Sequence, residues 1–262
     1  MRICRFTDPE TQRPAFGVIE GEEVYRLEGD LSAGNLSLER NEPSIRLSEA
    51  QLLPPVAPSK IVCVGRNYRE HAAELGNPMP SEPLLFLKAP STIIGDGDTI
   101  ELPELSQRVE HEGELAVVIG RRCRRLSSDE DPLAYVLGYT CLNDVTARDL
   151  QRKDVQFTRG KSFDTFCPVG PYIVTGLDPT DLKVETRVNG EVRQSGRTGA
   201  MAFPVPDIIR YISQAMTLEP GDLIATGTPA GVGPLQDGDA CEVEVQGVGV
   251  LHNQVRAARA ER

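Results

Sequence analysis

The chain has 262 residues, of which 28 are basic and 39 acidic, giving a net charge of −11. That length supports one large domain, or a large one with a small one, and the acidic balance argues against nucleic acid and anionic membrane surfaces as partners. No apolar run approaches membrane-spanning length, the start from Met1 to Phe6 lacks a secretory apolar region, and six cysteines show no Cys-x-x-Cys spacing, so a cytoplasmic protein with reduced thiols is expected.

Residues 1 to about 52 carry short alternating segments, such as Ala15–Ile19 and Glu23–Leu27, separated by polar turns. They predict a small β-rich N-terminal domain, and the proline-rich stretch Leu53–Pro58 is its linker, because proline disrupts helix interiors and central strands. The expected units are 1–57 and 58–262. Past the linker, Lys60–Gly65 reads as a buried strand, and Asn67–Leu75 as a helix that Asn67 caps and Gly76 ends. On that helix His71 and Glu74 fall on one face; such a pair is also ordinary on a surface helix. The irregular segment 77–83 that follows would suit a lid.

In His111-Glu112-Gly113-Glu114-Leu115 the strand alternation points both glutamates to one face. A solvated strand face would carry the same pattern. Asp144, at the end of the apolar segment Tyr139–Asn143, adds a third carboxylate, and three carboxylates with open positions suit Mg²⁺ or Mn²⁺. With only three histidines, a histidine-rich transition-metal site is not expected. The cluster Arg121-Arg122-Cys123-Arg124-Arg125 reads as a solvated turn.

Arg148 and Gln151 lie on one face of a short helical turn after Asp144; Arg148 could present a guanidinium to a substrate carboxylate or pair with Asp149 or Asp154. Lys161 is either a solvated turn residue or, beside Phe163, part of a site. The segment Asp207–Met216 carries Ile208, Ile209, Ile212 and Ala215 at helical spacing, a core stripe, and strands joined by glycine turns follow to the C-terminus. Many strands, few helices and no regular β-α alternation predict an α+β, mostly β fold with mixed, largely antiparallel sheets.

Five motifs occur in order: Gly65-Arg66-Asn67-Tyr68, His111-Glu112-Gly113-Glu114-Leu115, Asn143-Asp144 through Gln151, Gly160-Lys161-Ser162-Phe163-Asp164, and Thr226-Gly227-Thr228-Pro229-Ala230-Gly231. In this the chain resembles the fumarylacetoacetate hydrolase family from about Ser59 onward, and within it the acylpyruvate hydrolases, also called oxaloacetate decarboxylases, and the isomerases and decarboxylases of homoprotocatechuate breakdown. The resemblance implies a mixed β-sandwich or roll, a homodimer, and Glu112, Glu114 and Asp144 as ligands of Mg²⁺ or Mn²⁺. It implies Lys161 as the active-site lysine, His71 with Glu74 as a lid pair preparing a water, and Arg66, Tyr68, Arg148, Gln151 and Thr228 as pocket residues. The family's usual Ser or Asp before the last helix is replaced by the run Thr198–Phe203.

The expected reaction is cleavage of a carbon–carbon bond in a small 2-oxo acid bearing a second carbonyl, such as an acylpyruvate or oxaloacetate, through a metal-stabilised enolate. Alternatives are a 2-hydroxyhepta-2,4-diene-1,7-dioate isomerase or decarboxylase of aromatic catabolism, and a non-catalytic protein that binds metal and dicarboxylate.

Overall fold

The computed structural model describes residues 1–258; residues 259–262 of the expected 58–262 unit lie outside them. The fold is mostly β, in three sheets. The largest has 12 strands: ten run in the order Arg40–Arg46, Glu23–Leu27, Pro14–Glu20, Arg2–Thr7, Cys167–Val174, Val136–Asn143, Gly113–Ile119, Leu223–Ala225, Ile61–Gly65 and Leu84–Lys88, and off this path Gln51–Leu53 pairs with Arg2–Thr7 and Ile93–Ile94 with Cys167–Val174. Arg2–Thr7 joins the N-terminal strands to the rest through antiparallel pairing of Ile3 with Ile173. The pairing is mainly antiparallel, but Leu223–Ala225 and Ile61–Gly65 run parallel.

A five-stranded sheet, Glu191–Arg197, Lys183–Val188, Ala240–Val245, Gly249–Ala257 and Thr99–Leu102, packs against one face of the large one. Leu115, Val117 and Ile119 meet Val184, Val243 and Leu251 in that interface, whereas Ala116 and Val118 point the other way, into a second cluster with Ile61, Val169 and Ile173. Burial on both faces accounts for the unbroken apolar run Leu115–Ile119 where a half-exposed strand would alternate. Each fully buried Leu or Ile there contributes about 1.5–3 kcal/mol.

Four α-helices are present among the described residues: α1 (Arg69–Glu74), α2 (Arg148–Lys153), α3 (Thr158–Lys161) and α4 (Val205–Ala215). Helix α4 buries Ile208, Ile209 and Ile212 as its spacing predicts, but Ala215 is exposed and Ser213 is buried instead, donating to Arg210 O. The arginines of 121–125 are exposed around a buried Cys123. No described helix is long and apolar enough to cross a membrane.

The expected cap of α1 is not formed. Asn67 is fully buried, and its amide binds Phe203 O, Phe203 N and Thr226 O, tying three segments together. Tyr68 stands at the N-cap without a side-chain bond. A buried amide surrounded by backbone donors and acceptors satisfies all of them, and that outweighs a single local cap.

Gly113 marks where the site is built. A Cβ there would lie 2.0 Å from Thr186 Oγ1 and 3.2 Å from Val243, so only glycine lets the two sheets close at this point. Gly113→Ala is expected to destabilise the protein by about 1–3 kcal/mol through overpacking, read as a lowered denaturation midpoint. Adding Thr186→Ala should recover most of that loss; if the double variant is no more stable than the single one, the close approach is not the cause.

Candidate active site

The three carboxylates converge. Glu112 lies in the break between strands Val109–His111 and Gly113–Ile119, the point at which the chain leaves the three-stranded sheet for the large one. Its N–H donates to Asn143 Oδ1 at 2.9 Å, and Asp144 N donates to Glu112 O at 2.8 Å, so the antiparallel register of Gly113 with Asn143 sets Glu112 beside Asp144. One oxygen each from Glu112, Glu114 and Asp144 lies within 4.8 Å of the others, and all three residues are buried.

Lys161 completes the cluster. It ends α3, which packs on α2 through Gly160, where a Cβ would come within 2.9 Å of Gln151 N. Its buried ammonium donates to Glu112 Oε2 at 2.9 Å and to Asp144 Oδ2 at 2.7 Å, and lies 5.1 Å from the Phe86 ring centre. Burial alone would lower the Lys161 pKa, but Asp144 and Glu112 outweigh it and hold the ammonium charged.

The carboxylates do not share one electrostatic fate. Burial would raise Glu112, yet Lys161 and Arg148 hold it well below the usual carboxylate range. Glu114 is pushed well above that range by burial, reinforced by the charges of Asp144 and Glu112. A Glu112 held ionised, a Glu114 whose charge is disfavoured and the carboxyl of Asp144 beside them form a donor set that a dication would satisfy. The donors are hard oxygens throughout, which fits Mg²⁺ or Mn²⁺.

Around this cluster lies a cavity of about 240 Å³, lined by Arg66, His71, Arg148, Gln151, Lys161 and Thr228 among the expected residues. The lining also holds Phe86, Phe157 and Arg152, which the sequence reading did not single out; the two rings meet edge-to-face at 5.5 Å. Arg66 adopts a left-handed backbone conformation with φ of 56°. Thr228 Oγ1 donates to Gly113 O at 2.8 Å and accepts from Gln194 Nε2 at 2.6 Å, which holds its loop over the cluster.

Other expected residues are placed differently. Tyr68 is buried but does not line the cavity, and its hydroxyl has no hydrogen-bond partner among the described residues. Arg148 is buried and commits Nε to Glu110, Nη1 to Gln151 and Nη2 to Glu112; the alternative pairing with Asp149 or Asp154 is not formed. His71 Nδ1 lies 3.5 Å from Glu74 Oε2 without a hydrogen bond, and both Glu74 oxygens accept from Gly231 N at 3.1 Å. Burial pushes the His71 pKa down, against an opposing pull from Glu112.

At the site, Gln194, Glu110 and Lys88 are buried polar residues that the sequence reading did not single out. Gln194 accepts from Gly113 N and lies 2.9 Å from His111 Nδ1, and Glu110 pairs with Arg148. Lys88 is fully buried, with Nζ 2.6 Å from Asp144 Oδ1. In Leu84-Leu85-Phe86-Leu87-Lys88 the alternation sets Lys88 on the same face as the cavity residue Phe86, a signal that was available.

Residues 60–256 match the fumarylacetoacetate (FAA) hydrolase C-terminal family, and residues 1–55 match the Rv2993c-like, N-terminal family. The chain belongs to the fumarylacetoacetate hydrolase family. It is 48% identical over 224 residues to oxaloacetate tautomerase YisK of Bacillus subtilis, covering 80% of this chain and 74% of that one. The solved structure of 5-carboxymethyl-2-hydroxymuconate delta-isomerase from Mycobacterium smegmatis superposes with a TM-score of 0.89 at 43% identity, covering 98% of this chain and all of that one. The solved structure of maleylpyruvate hydrolase from Sphingobium sp. SYK-6 in complex with manganese (II) ion and pyruvate superposes with a TM-score of 0.78 at 32% identity, covering 99% of this chain and all of that one. The fumarylacetoacetate hydrolase family thus includes tautomerases, isomerases and hydrolases, and the acidic cluster of this chain is suited to a divalent metal.

Proposed function

We propose that this protein is a Mg²⁺- or Mn²⁺-dependent enzyme that moves a proton at the carbon beside the 2-oxo group of a short oxo acid, with the keto–enol interconversion of oxaloacetate as its reaction. The observation that carries this reading is the Lys161 ammonium, seated in the cavity between Glu112 and Asp144. Glu112, Glu114 and Asp144 would hold the ion, which supplies Lewis-acid polarisation of the 2-oxo oxygen when bound.

The chain's own groups then divide the remaining work. Lys161 holds a proton at Nζ within the cavity and exchanges it with the substrate carbon or enol oxygen. Arg66 and Arg152 line the cavity and bind the substrate carboxylates, which the net charge of −11 would otherwise repel. Phe86 and Phe157 wall the cavity with aromatic surface and limit water beside the reacting carbon.

Hydrolysis of an acylpyruvate is a second reading, favoured by one observation: a buried His71 whose pKa is depressed stands as a neutral base 3.5 Å from Glu74. His71→Ala separates the two. Acylpyruvate hydrolysis is expected to fall by about 10²-fold or more, whereas oxaloacetate tautomerisation should fall by less than about tenfold. The assay follows enol absorbance with Mn²⁺ present; wild-type protein that accelerates enol decay no more than buffer does would sink the tautomerase reading.

A further inference from the structure

Each carboxylate of the cluster commits one oxygen to a protein donor other than Lys161. Arg148 Nη2 donates to Glu112 Oε1, Gly227 N to Glu114 Oε2 at 2.7 Å, and Lys88 Nζ to Asp144 Oδ1 at 2.6 Å. The other oxygens are Glu112 Oε2 and Asp144 Oδ2, which accept from Lys161 Nζ at 2.9 Å and 2.7 Å, and Glu114 Oε1.

Lys88 makes the most costly of these pins. It is 1% exposed, and its ammonium is fixed by a second bond, to Val145 O at 3.1 Å. Burying a lysine takes several kcal/mol of solvation unless it is paired and bonded, so its position needs a reason. Lys88 does not line the cavity, and it reaches the cluster through Asp144.

Resting on the metal reading above, we propose that Lys88 is a positioning residue for metal selectivity: by holding Asp144 Oδ1 it makes Asp144 a one-oxygen ligand and tunes the site to small six-coordinate dications over Ca²⁺. Calcium takes about six to eight oxygens and commonly draws both from a carboxylate, whereas magnesium demands a compact octahedron. Denying Asp144 its second oxygen therefore handicaps the larger ion more. Arg148 and the Gly227 amide impose the same restriction on Glu112 and Glu114.

The test is calorimetric titration of chelator-treated full-length protein with MnCl₂ and, separately, CaCl₂, without substrate. In Lys88→Met the preference for Mn²⁺ over Ca²⁺ is expected to shrink by about tenfold or more. Both ions carry the same charge, so losing the ammonium shifts both affinities together and cancels in the ratio. A purely structural role for Lys88 would weaken both alike. Lys88→Arg keeps a donor and should bring the ratio back to within about threefold of wild type. Should Lys88→Met give no cooperative melting transition, Arg148→Met releases Glu112 Oε1 and carries the same expectation. A folded variant with the wild-type ratio overturns the proposal; a wild type that binds neither ion overturns the metal reading, and this proposal with it.

Discussion

Glu114→Gln is expected to abolish the response to divalent ions and to lower kcat/KM for oxaloacetate tautomerisation by about 10²–10³-fold, the scale of losing one preorganised electrostatic contact. The change conserves shape. The amide oxygen of the variant can still accept from Gly227 N, as Glu114 Oε2 does at 2.7 Å, which turns the amide NH₂ into the cavity where an oxygen ligand is needed. Burial, together with Asp144 and Glu112, already disfavours charge on Glu114, so the neutral variant should be at least as stable as wild type in EDTA. With Mn²⁺ at 100 times its Kd, wild type should gain about 2.7 kcal/mol and the variant nothing. Thermal scans in EDTA and in MnCl₂ read this without any substrate; an equal Mn²⁺ shift in the two proteins would remove Glu114 from the ligand set.

Glu112, Glu114 and Asp144 are legible in the sequence because their convergence depends on two short-range facts, two glutamates either side of the glycine that starts a strand and a carboxylate placed directly after another strand. The antiparallel register of Gly113 with Asn143 does the rest. Lys161 is legible only beside the other motifs, since nothing local distinguishes a buried lysine from a solvated one. Lys88 escapes because a run such as Leu84–Lys88 is read as an apolar strand, with the lysine as its polar end. Its partner lies 56 residues away, just past Val136–Asn143, a strand that is not its neighbour in the sheet. Asn67 and Gln194 escape for a related reason. Their amides bind backbone groups more than 80 residues distant, and no periodicity records a tertiary hydrogen bond. The fold class is legible from strand density, whereas the sheet order is not: the parallel pairing of Leu223–Ala225 with Ile61–Gly65 joins segments about 160 residues apart, a contact that neither segment's pattern predicts.

Lys161→Met should move two readouts in opposite directions. Activity should fall by about 10²–10⁴-fold, the range associated with a positioned proton donor. Affinity for Mn²⁺ should rise, because the ammonium that donates to Glu112 Oε2 at 2.9 Å and to Asp144 Oδ2 at 2.7 Å competes with a cation for those oxygens. Without metal, removing one partner from a buried ion pair leaves the carboxylates uncompensated and should destabilise the protein by about 3–5 kcal/mol. Bound Mn²⁺ should restore most of that loss, since it supplies charge at the same place. Calorimetry and denaturant melts with and without MnCl₂ measure all three effects. A lysine that served only to hold the fold would lower stability without strengthening metal binding. A variant whose Mn²⁺ affinity falls, or whose turnover stays within about threefold of wild type, would show that the ammonium is neither the competitor for the metal oxygens nor the proton carrier.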